Sequence, residues 1–394
     1  MLLTPSVEFI LSTLSEKGHR ADVVGGPVRD FLRGVAPADY DITTDATPEE
    51  IKAVFCEFRT LDTGIKHGTV TLLLDGEPYE ITTYRIDGEY KDSRHPVSVS
   101  FTKKIEEDLS RRDFTMNAIA YNKKDGITDP HGGREDIKNK TIRAVGDPYL
   151  RFSEDALRIL RALRFSATLG FEIEERTAEA LRAKRGLLSD ISAERIYTEW
   201  RKLMSGDFAY DVIRKFPEVI SEFIPELLGM RLPKKSDFAE DFLTRTAQIF
   251  ALTLGDNASC AFDTAMRRLK TDTETREMGA KMLENSGKYP LNSLEDAGLM
   301  LMNLGERVTL ATARLDLSLG LITEKGTARV REYLERGLPY RISDLAVSGV
   351  DIMNVGYSGR EVGKLLSELL TLTVRGEISN DKESQLSYIA LQKL

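Results

Sequence analysis

The stretch Val23–Thr44, VVGGPVRDFLRGVAPADYDITT, joins a glycine turn to two carboxylates one residue apart, and the rest of the chain is organised around it. Val23 and Val24 are β-branched and suit a short strand; Gly25-Gly26 then removes two side chains where the chain must turn and a ligand can come close. A helix is expected from Pro27, because proline is tolerated in a first turn. Backbone N–H groups exposed there, with Arg29 beside them, suit a triphosphate, although Gly-Gly before a helix also serves as a plain turn. In Ala38-Asp39-Tyr40-Asp41-Ile42-Thr43 the residues alternate, so a strand puts Asp39 and Asp41 on one face and Tyr40 and Ile42 on the other. Hard oxygen ligands on a rigid strand fit Mg²⁺, which takes one or two carboxylates and completes its shell with substrate phosphates. A solvated acidic strand end explains the aspartates taken alone. The glycine turn ahead of them shifts the balance towards a site where phosphates and cations meet.

GGPVRD followed by DYD resembles the catalytic signature of the nucleotidyltransferase superfamily, and within it that of the tRNA nucleotidyltransferases (CCA-adding enzymes) and their bacterial poly(A) polymerase relatives. The resemblance implies that Asp39 and Asp41 are catalytic and hold Mg²⁺, and that Gly25, Gly26 and Arg29 hold the triphosphate. It also implies a third carboxylate on a neighbouring strand. Glu80, in the strand-like run Tyr79–Tyr84, is the candidate, as metal ligand or base; an exposed strand glutamate explains it equally.

Two further runs extend the resemblance. Arg111-Arg112-Asp113 resembles the family's RRD motif, which implies that Arg112 and Asp113 contact the sugar and phosphates; two guanidiniums beside an acid also make a surface ion cluster. Ser153–Ala167, SEDALRILRALRFSA, reads as one helix capped by Ser153, with Ala156, Ile159, Leu160 and Leu163 on one side and Glu154, Asp155, Arg158 and Arg161 on the other. Acids in a first turn and arginines on a solvated face account for it in bland terms. However, its EDxxRxxR pattern resembles the family's base-recognition motif, which implies that Asp155 and Arg158 read the incoming nucleotide. Arg161 and Arg164 are expected to assist with triphosphate or acceptor contacts. Cytosine and adenine both present an exocyclic amino donor beside an unprotonated ring nitrogen, so a carboxylate and an arginine together match them and mismatch uracil and guanine.

The 394 residues exceed one domain's worth of chain, and 41% hydrophobic with 30% charged residues is the composition of a soluble globular protein. The N-terminal run MLLTPSVEFILSTLSEKG is amphipathic and reads as neither signal peptide nor membrane span. Two distant cysteines, Cys56 and Cys260, suit a reducing cytoplasm and argue against structural zinc, and four scattered histidines argue against a histidine-built hydrolase. Net charge is −8, so any nucleic-acid binding depends on a local concentration of Arg and Lys.

In chain order, Thr47-Pro48-Glu49-Glu50 is a helix start, and Thr69–Leu74 and Tyr79–Tyr84 flank a hairpin at Asp75-Gly76-Glu77-Pro78. Arg85–Phe101 has the composition of a mobile loop, which resembles the family's flexible loop, linked to accepting ATP after CTP. Asp129-Pro130-His131-Gly132-Gly133 marks a turn. From Thr141 the pattern is helical throughout, with Trp200 as core, and Gly356-Tyr357-Ser358-Gly359 opens a tail helix that resembles the family's tRNA-elbow grip.

The expected architecture is α+β: a nucleotidyltransferase head with a mixed sheet (residues 1–144), then an elongated all-α neck that recognises the base (145–205), a helical body (206–330) and a tRNA-binding tail (331–394). The expected activity is template-independent addition of CCA to tRNA 3′ ends from CTP and ATP, in the cytoplasm, with no membrane or protein partner. A-adding and poly(A)-synthesising enzymes are the rivals within the class, and a non-catalytic RNA-binding protein is the rival outside it.

Overall fold

The computed structural model describes residues 3–88, 99–234 and 238–392. The chain forms two compact units, Met1–Phe223 and Ile224–Leu394.

The first unit is built on seven strands: β1 (Ala21–Val24), β2 (Asp41–Thr44), β3 (Arg59–Gly64), β4 (Thr69–Leu74), β5 (Glu77–Thr83), and, after a separate ribbon of β6 (Arg85–Asp87) and β7 (Val99–Phe101), β8 (Ala120–Asn122) and β9 (Gly126–Thr128). They lie in the order β3-β4-β5-β2-β1-β8-β9. Only β2 and β5 run parallel, with Asp41 opposite Glu80 and Ile42 opposite Ile81. Ile42 and Ile81 are buried while Asp41 and Glu80 are exposed. The period of two therefore sorts this central pair into a core face and a carboxylate face.

Helix α1 (Pro5–Glu16) buries Val7, Ile10 and Leu14, a helical spacing, and packs near β1. Helix α2 (Gly26–Leu32) follows β1 directly, with Pro27 in its first turn as expected. Helix α3 (Pro48–Val54) carries the expected capping box: Thr47 Oγ1 accepts from the Glu50 N–H at 3.3 Å and Glu50 Oε2 from the Thr47 N–H at 2.7 Å. The β4–β5 hairpin turns on Asp75 and Gly76 alone, both with positive φ (54° and 85°), which is the two-residue turn that matches strand twist.

Four local expectations change. Asp39 is not on a strand: β2 begins at Asp41, and Asp39 lies in the bend before it. The reason is that β1 pairs only as far as Ile42, so the chain beyond has no antiparallel partner on that side. Arg85–Phe101 is not all loop, since its two ends pair as β6 and β7; its middle, 89–98, lies outside the described residues. The chain after Thr141 is not purely helical, because β10 (Thr141–Ile142) pairs in parallel with β11 (Glu172–Ile173). The helix expected over 153–167 is two, as the next elements show.

Helices α4 (Ile105–Ser110) and α5 (Gly133–Lys138) precede α6 (Pro148–Glu154) and α7 (Leu157–Leu169). Asp147 caps α6 and Ser153 lies inside it, donating to the Tyr149 carbonyl at 2.9 Å. Between them Asp155 is extended (φ −140°, ψ 102°), and its Oδ1 accepts from the Leu157 N–H at 3.1 Å. A short acidic side chain has taken a backbone donor that would otherwise continue the helix. Helices α8 (Glu175–Lys184), α9 (Ala193–Met204), α10 (Ala209–Lys215) and α11 (Pro217–Phe223) complete the unit, and Trp200 is core, 1% exposed and edge-on to Phe223.

The second unit is helical: α12 (Phe242–Leu254), α13 (Ala258–Arg268), α14 (Thr273–Asn285), α15 (Leu294–Ser318), α16 (Glu324–Glu335), α17 (Gly349–Asn354), α18 (Arg360–Val374) and α19 (Lys382–Leu391). Gly305 (φ 73°, ψ 164°) interrupts α15, and Met300, Leu301, Val330 and Tyr333 share one core while Ile352, Leu369 and Ile389 share another. No helix among the described residues is long and apolar enough to cross a membrane.

Candidate active site

Gly25 is the pivot. Its φ of 79° and ψ of −125° are open to glycine and costly for other residues, and a Cβ built on it stands 3.2 Å from Arg112 Nη1. The bare turn therefore lets an arginine from a distant segment lie against it. Since α2 has only seven residues, its dipole is modest, and the Arg29 and Arg112 guanidiniums add positive charge beside the turn. Arg112 Nε is buried without a hydrogen-bond partner among the described residues.

Across from this turn lie the acids. Although the Asp41 side chain reaches solvent, the protein packed around its carboxyl desolvates it enough to push it above its ordinary value; Arg112 opposes this, and Asp39 and Glu80 reinforce it. Asp41 thus feels both other carboxylates at the head of β2 and β5. Among the described residues no three such side chains converge into a preformed metal cage. Carboxylate oxygens of this kind suit a cation that completes its shell with substrate phosphates and waters.

The RRD run divides. Arg111 and Arg112 both turn to buried Asp108 on α4, with Nη2 at 2.8 and 3.3 Å from its oxygens. Burial alone would raise that acid, but the two arginines outweigh it and hold it low. Asp113 turns the other way: its Oδ2 accepts from Arg161 Nε at 2.7 Å, with Nη2 of the same guanidinium 2.6 Å away, and its Oδ1 accepts from Asn117 Nδ2 at 3.1 Å. Asn117 Oδ1 in turn accepts from Arg29 Nη1 at 2.9 Å. One continuous chain, Arg29–Asn117–Asp113–Arg161, ties the glycine turn to α7.

Arg158 is buried rather than solvated, donating to Glu154 Oε2 at 2.8 Å, to the Arg151 carbonyl at 3.1 Å and to the Arg111 carbonyl at 3.0 Å. Arg29, Arg161 and Arg164 lie 5.3, 5.4 and 4.1 Å from the ring centre of Phe165. Burial lowers Arg164, Arg161 adds to this, and Glu199 opposes it. A cleft of about 680 Å³ opens beside the ring, lined in part by Arg29, Arg164, Tyr197, Arg201 and Lys202.

Residues 21–143 match the family described as poly A polymerase head domain, and residues 170–219 that described as probable RNA and SrmB- binding site of polymerase A. The CCA-adding enzyme of Lactobacillus helveticus (strain DPC 4571) is 36% identical over 389 residues, covering 96% of this chain and 95% of the relative. The chain belongs to the CCA-adding enzyme family.

A second family member, from Geobacillus thermodenitrificans, is 36% identical over 95% of this chain and 93% of its own. The crystal structure of the Bacillus stearothermophilus CCA-adding enzyme in complex with CTP superposes with a TM-score of 0.82 at 31% identity, covering 99% of this chain and 98% of that one. The Thermotoga maritima CCA-adding enzyme complexed with tRNA shares the fold, with a TM-score of 0.69 at 21% identity over 100% and 97% of the two chains.

For a CCA-adding enzyme built this way, the sequence reading missed the residues that hold the others. Asp108, Asn117, Glu154, Phe165, Arg195 and Glu199 all contact expected site residues. Glu154 and Phe165 stood inside the run Ser153–Ala167 already quoted. An acid four residues before Arg112, a helical pairing distance, was the signal for Asp108.

Proposed function

We propose that the chain adds C, C and A to the 3′ end of tRNA from CTP and ATP and releases pyrophosphate. The observation that carries this reading is Asp41 beside Glu80 on parallel strands, with Arg112 against the Gly25 turn and close enough for its charge to act on Asp41. The four-part division follows as a functional assignment: 1–144 for metal and triphosphate, 145–205 for the base, 206–330 as body and 331–394 for tRNA.

Asp39 and Asp41 would hold a divalent metal, and we assign it as Mg²⁺, with Glu80 as third carboxylate. When bound, such an ion neutralises charge on the attacking oxygen and on the transferring phosphate. Gly25 and Gly26 admit the triphosphate, and Arg29 and Arg112 donate to its oxygens. Asp113, fixed by Arg161 and Asn117, accepts from the ribose. Asp155 accepts the amino group shared by cytosine and adenine, and Arg158 donates to the adjacent ring nitrogen once it exchanges one of its present partners. Arg161 and Arg164 neutralise the phosphates beyond. The terminal ribose hydroxyl then attacks the α-phosphate, and positioning with charge neutralisation supplies most of the acceleration. The reducing cytoplasm is the compartment that suits two unpaired, exposed cysteines.

The test offers labelled CTP or ATP to tRNA transcripts ending before CCA, after C and after CC. Stepwise completion of CCA and then arrest is expected. Addition of A to the CC transcript alone indicates an A-adding enzyme, and unlimited A addition indicates poly(A) synthesis.

A further inference from the structure

Asp155 is held from two sides in the break between α6 and α7. Its Oδ1 accepts from the Leu157 N–H at 3.1 Å, so the backbone fixes one oxygen. Its Oδ2 faces Arg195 on α9, whose Nη2 stands 3.5 Å away and makes no hydrogen bond to it. The second nitrogen of that guanidinium, Nη1, is buried and has no hydrogen-bond partner among the described residues. A buried donor left open is costly, and native structures retain few of them without a purpose.

The neighbouring acid works differently. Glu154 Oε2 takes hydrogen bonds from Arg151 at 3.0 Å and Arg158 at 2.8 Å, so its lone pairs are in use. Asp155 Oδ2 by contrast receives positive charge without surrendering its lone pairs. An oxygen oriented by a nearby cation and still free to accept is what an exocyclic amino group requires. Helix α9 packs along α7, and Glu199, one turn after Arg195, holds Arg164 Nε at 3.3 Å. One face of α9 thus sets a cation, Arg195, against the proposed base reader Asp155 and an anion, Glu199, against Arg164, assigned above to the phosphates.

We propose that Arg195 is a specificity-determining positioning residue: it aims the Asp155 carboxylate at the amino group of the incoming base. This rests on the reading of Asp155 as a base-contacting group. Arg195 itself does not touch the nucleotide. Its removal leaves Oδ2 free to rotate or to bond elsewhere, so cytosine and uracil become less distinct while chemistry at the α-phosphate continues.

The experiment measures kcat/KM for CTP and for UTP on a tRNA transcript ending before CCA, together with tRNA affinity and Tm, for the native chain, Arg195→Met, Arg195→Lys and Asp155→Ala. Arg195→Met is expected to lower the CTP-over-UTP ratio by about tenfold or more, with tRNA affinity within about twofold of native. Arg195→Lys is expected to recover most of that ratio. If Arg195→Met fails to fold, Arg195→Gln tests the same point at similar length. Should Arg195→Met slow CTP and UTP equally while Asp155→Ala destroys the selectivity, Arg195 is a strut between helices and the proposal is overturned. Should Asp155→Ala also keep full selectivity, the reading of Asp155 fails and takes the proposal with it.

Discussion

Arg161 Nη2 stands 2.6 Å from Asp113 Oδ2, and this pair joins the sheet-bearing part of the first unit to α7 across 48 positions of sequence. Burial works to raise the Asp113 carboxyl, yet Arg161 and Asn117 outweigh it and hold it at about 2. Its ordinary value is near 3.8, so the folded value is depressed. The stabilisation is therefore present above the ordinary carboxylate range and is lost as pH falls from about 4 towards 2. Asp113→Asn is expected to cost on the order of 2 kcal/mol at neutral pH, and thermal melts of both chains against pH should converge at the acid end.

Asp41 has the opposite sign. Desolvation by the surrounding protein and the charges of Asp39 and Glu80 raise its carboxyl despite Arg112, so the metal-free fold favours the protonated form more than the unfolded chain does. That preference stabilises the fold at low pH and is gone once pH rises through the raised value. Asp41→Asn should accordingly raise the metal-free Tm at neutral pH while it abolishes nucleotide addition. A lower Tm for this variant contradicts the electrostatic reading of the three acids.

Gly25→Ala forces a side chain into a backbone region reserved for glycine and to within 3.2 Å of Arg112 Nη1. The strain is about 1–3 kcal/mol. Because Arg112 must shift, KM for CTP and ATP should rise together, whereas Gly18→Ala, at an equally positive φ with open space around it, should cost stability and leave KM alone.

Phe165→Leu keeps an apolar side chain and removes the ring that Arg29, Arg161 and Arg164 share. Each such contact is worth about 0.5–1 kcal/mol at a partly exposed site. Guanidiniums released from the ring should lose their common orientation, weakening triphosphate binding more than they lower Tm. Calorimetric binding of CTP beside a melting curve separates the two effects.

Much of this architecture is legible in the sequence. Gly25-Gly26 after two valines, the capping box at Thr47 and the Asp75-Gly76 turn each declare local geometry through backbone chemistry, which short stretches of sequence encode directly. The break at Asp155 was hidden because apolar positions keep helical spacing across it; only the bond from Asp155 to the Leu157 N–H ends α6 there. Asp39 fell off its strand because strand length depends on partners, and β1 stops pairing at Ile42. The RRD run looked like one ligand-binding unit, yet its arginines and its acid point to different partners, Asp108 and Arg161, 53 positions apart by sequence number. Charge pairing across such distances is a property of the fold, so periodicity and motif spacing do not reveal it.

The central claim is that Asp39 and Asp41 together anchor the metal beside a bound nucleotide. Its most direct test is extension of a tRNA transcript ending before CCA by Asp39→Ala plus Asp41→Ala, after circular dichroism shows a native fold. The account predicts loss of extension by a factor of about 10³ or more with CTP still binding, whereas extension at the native rate contradicts it.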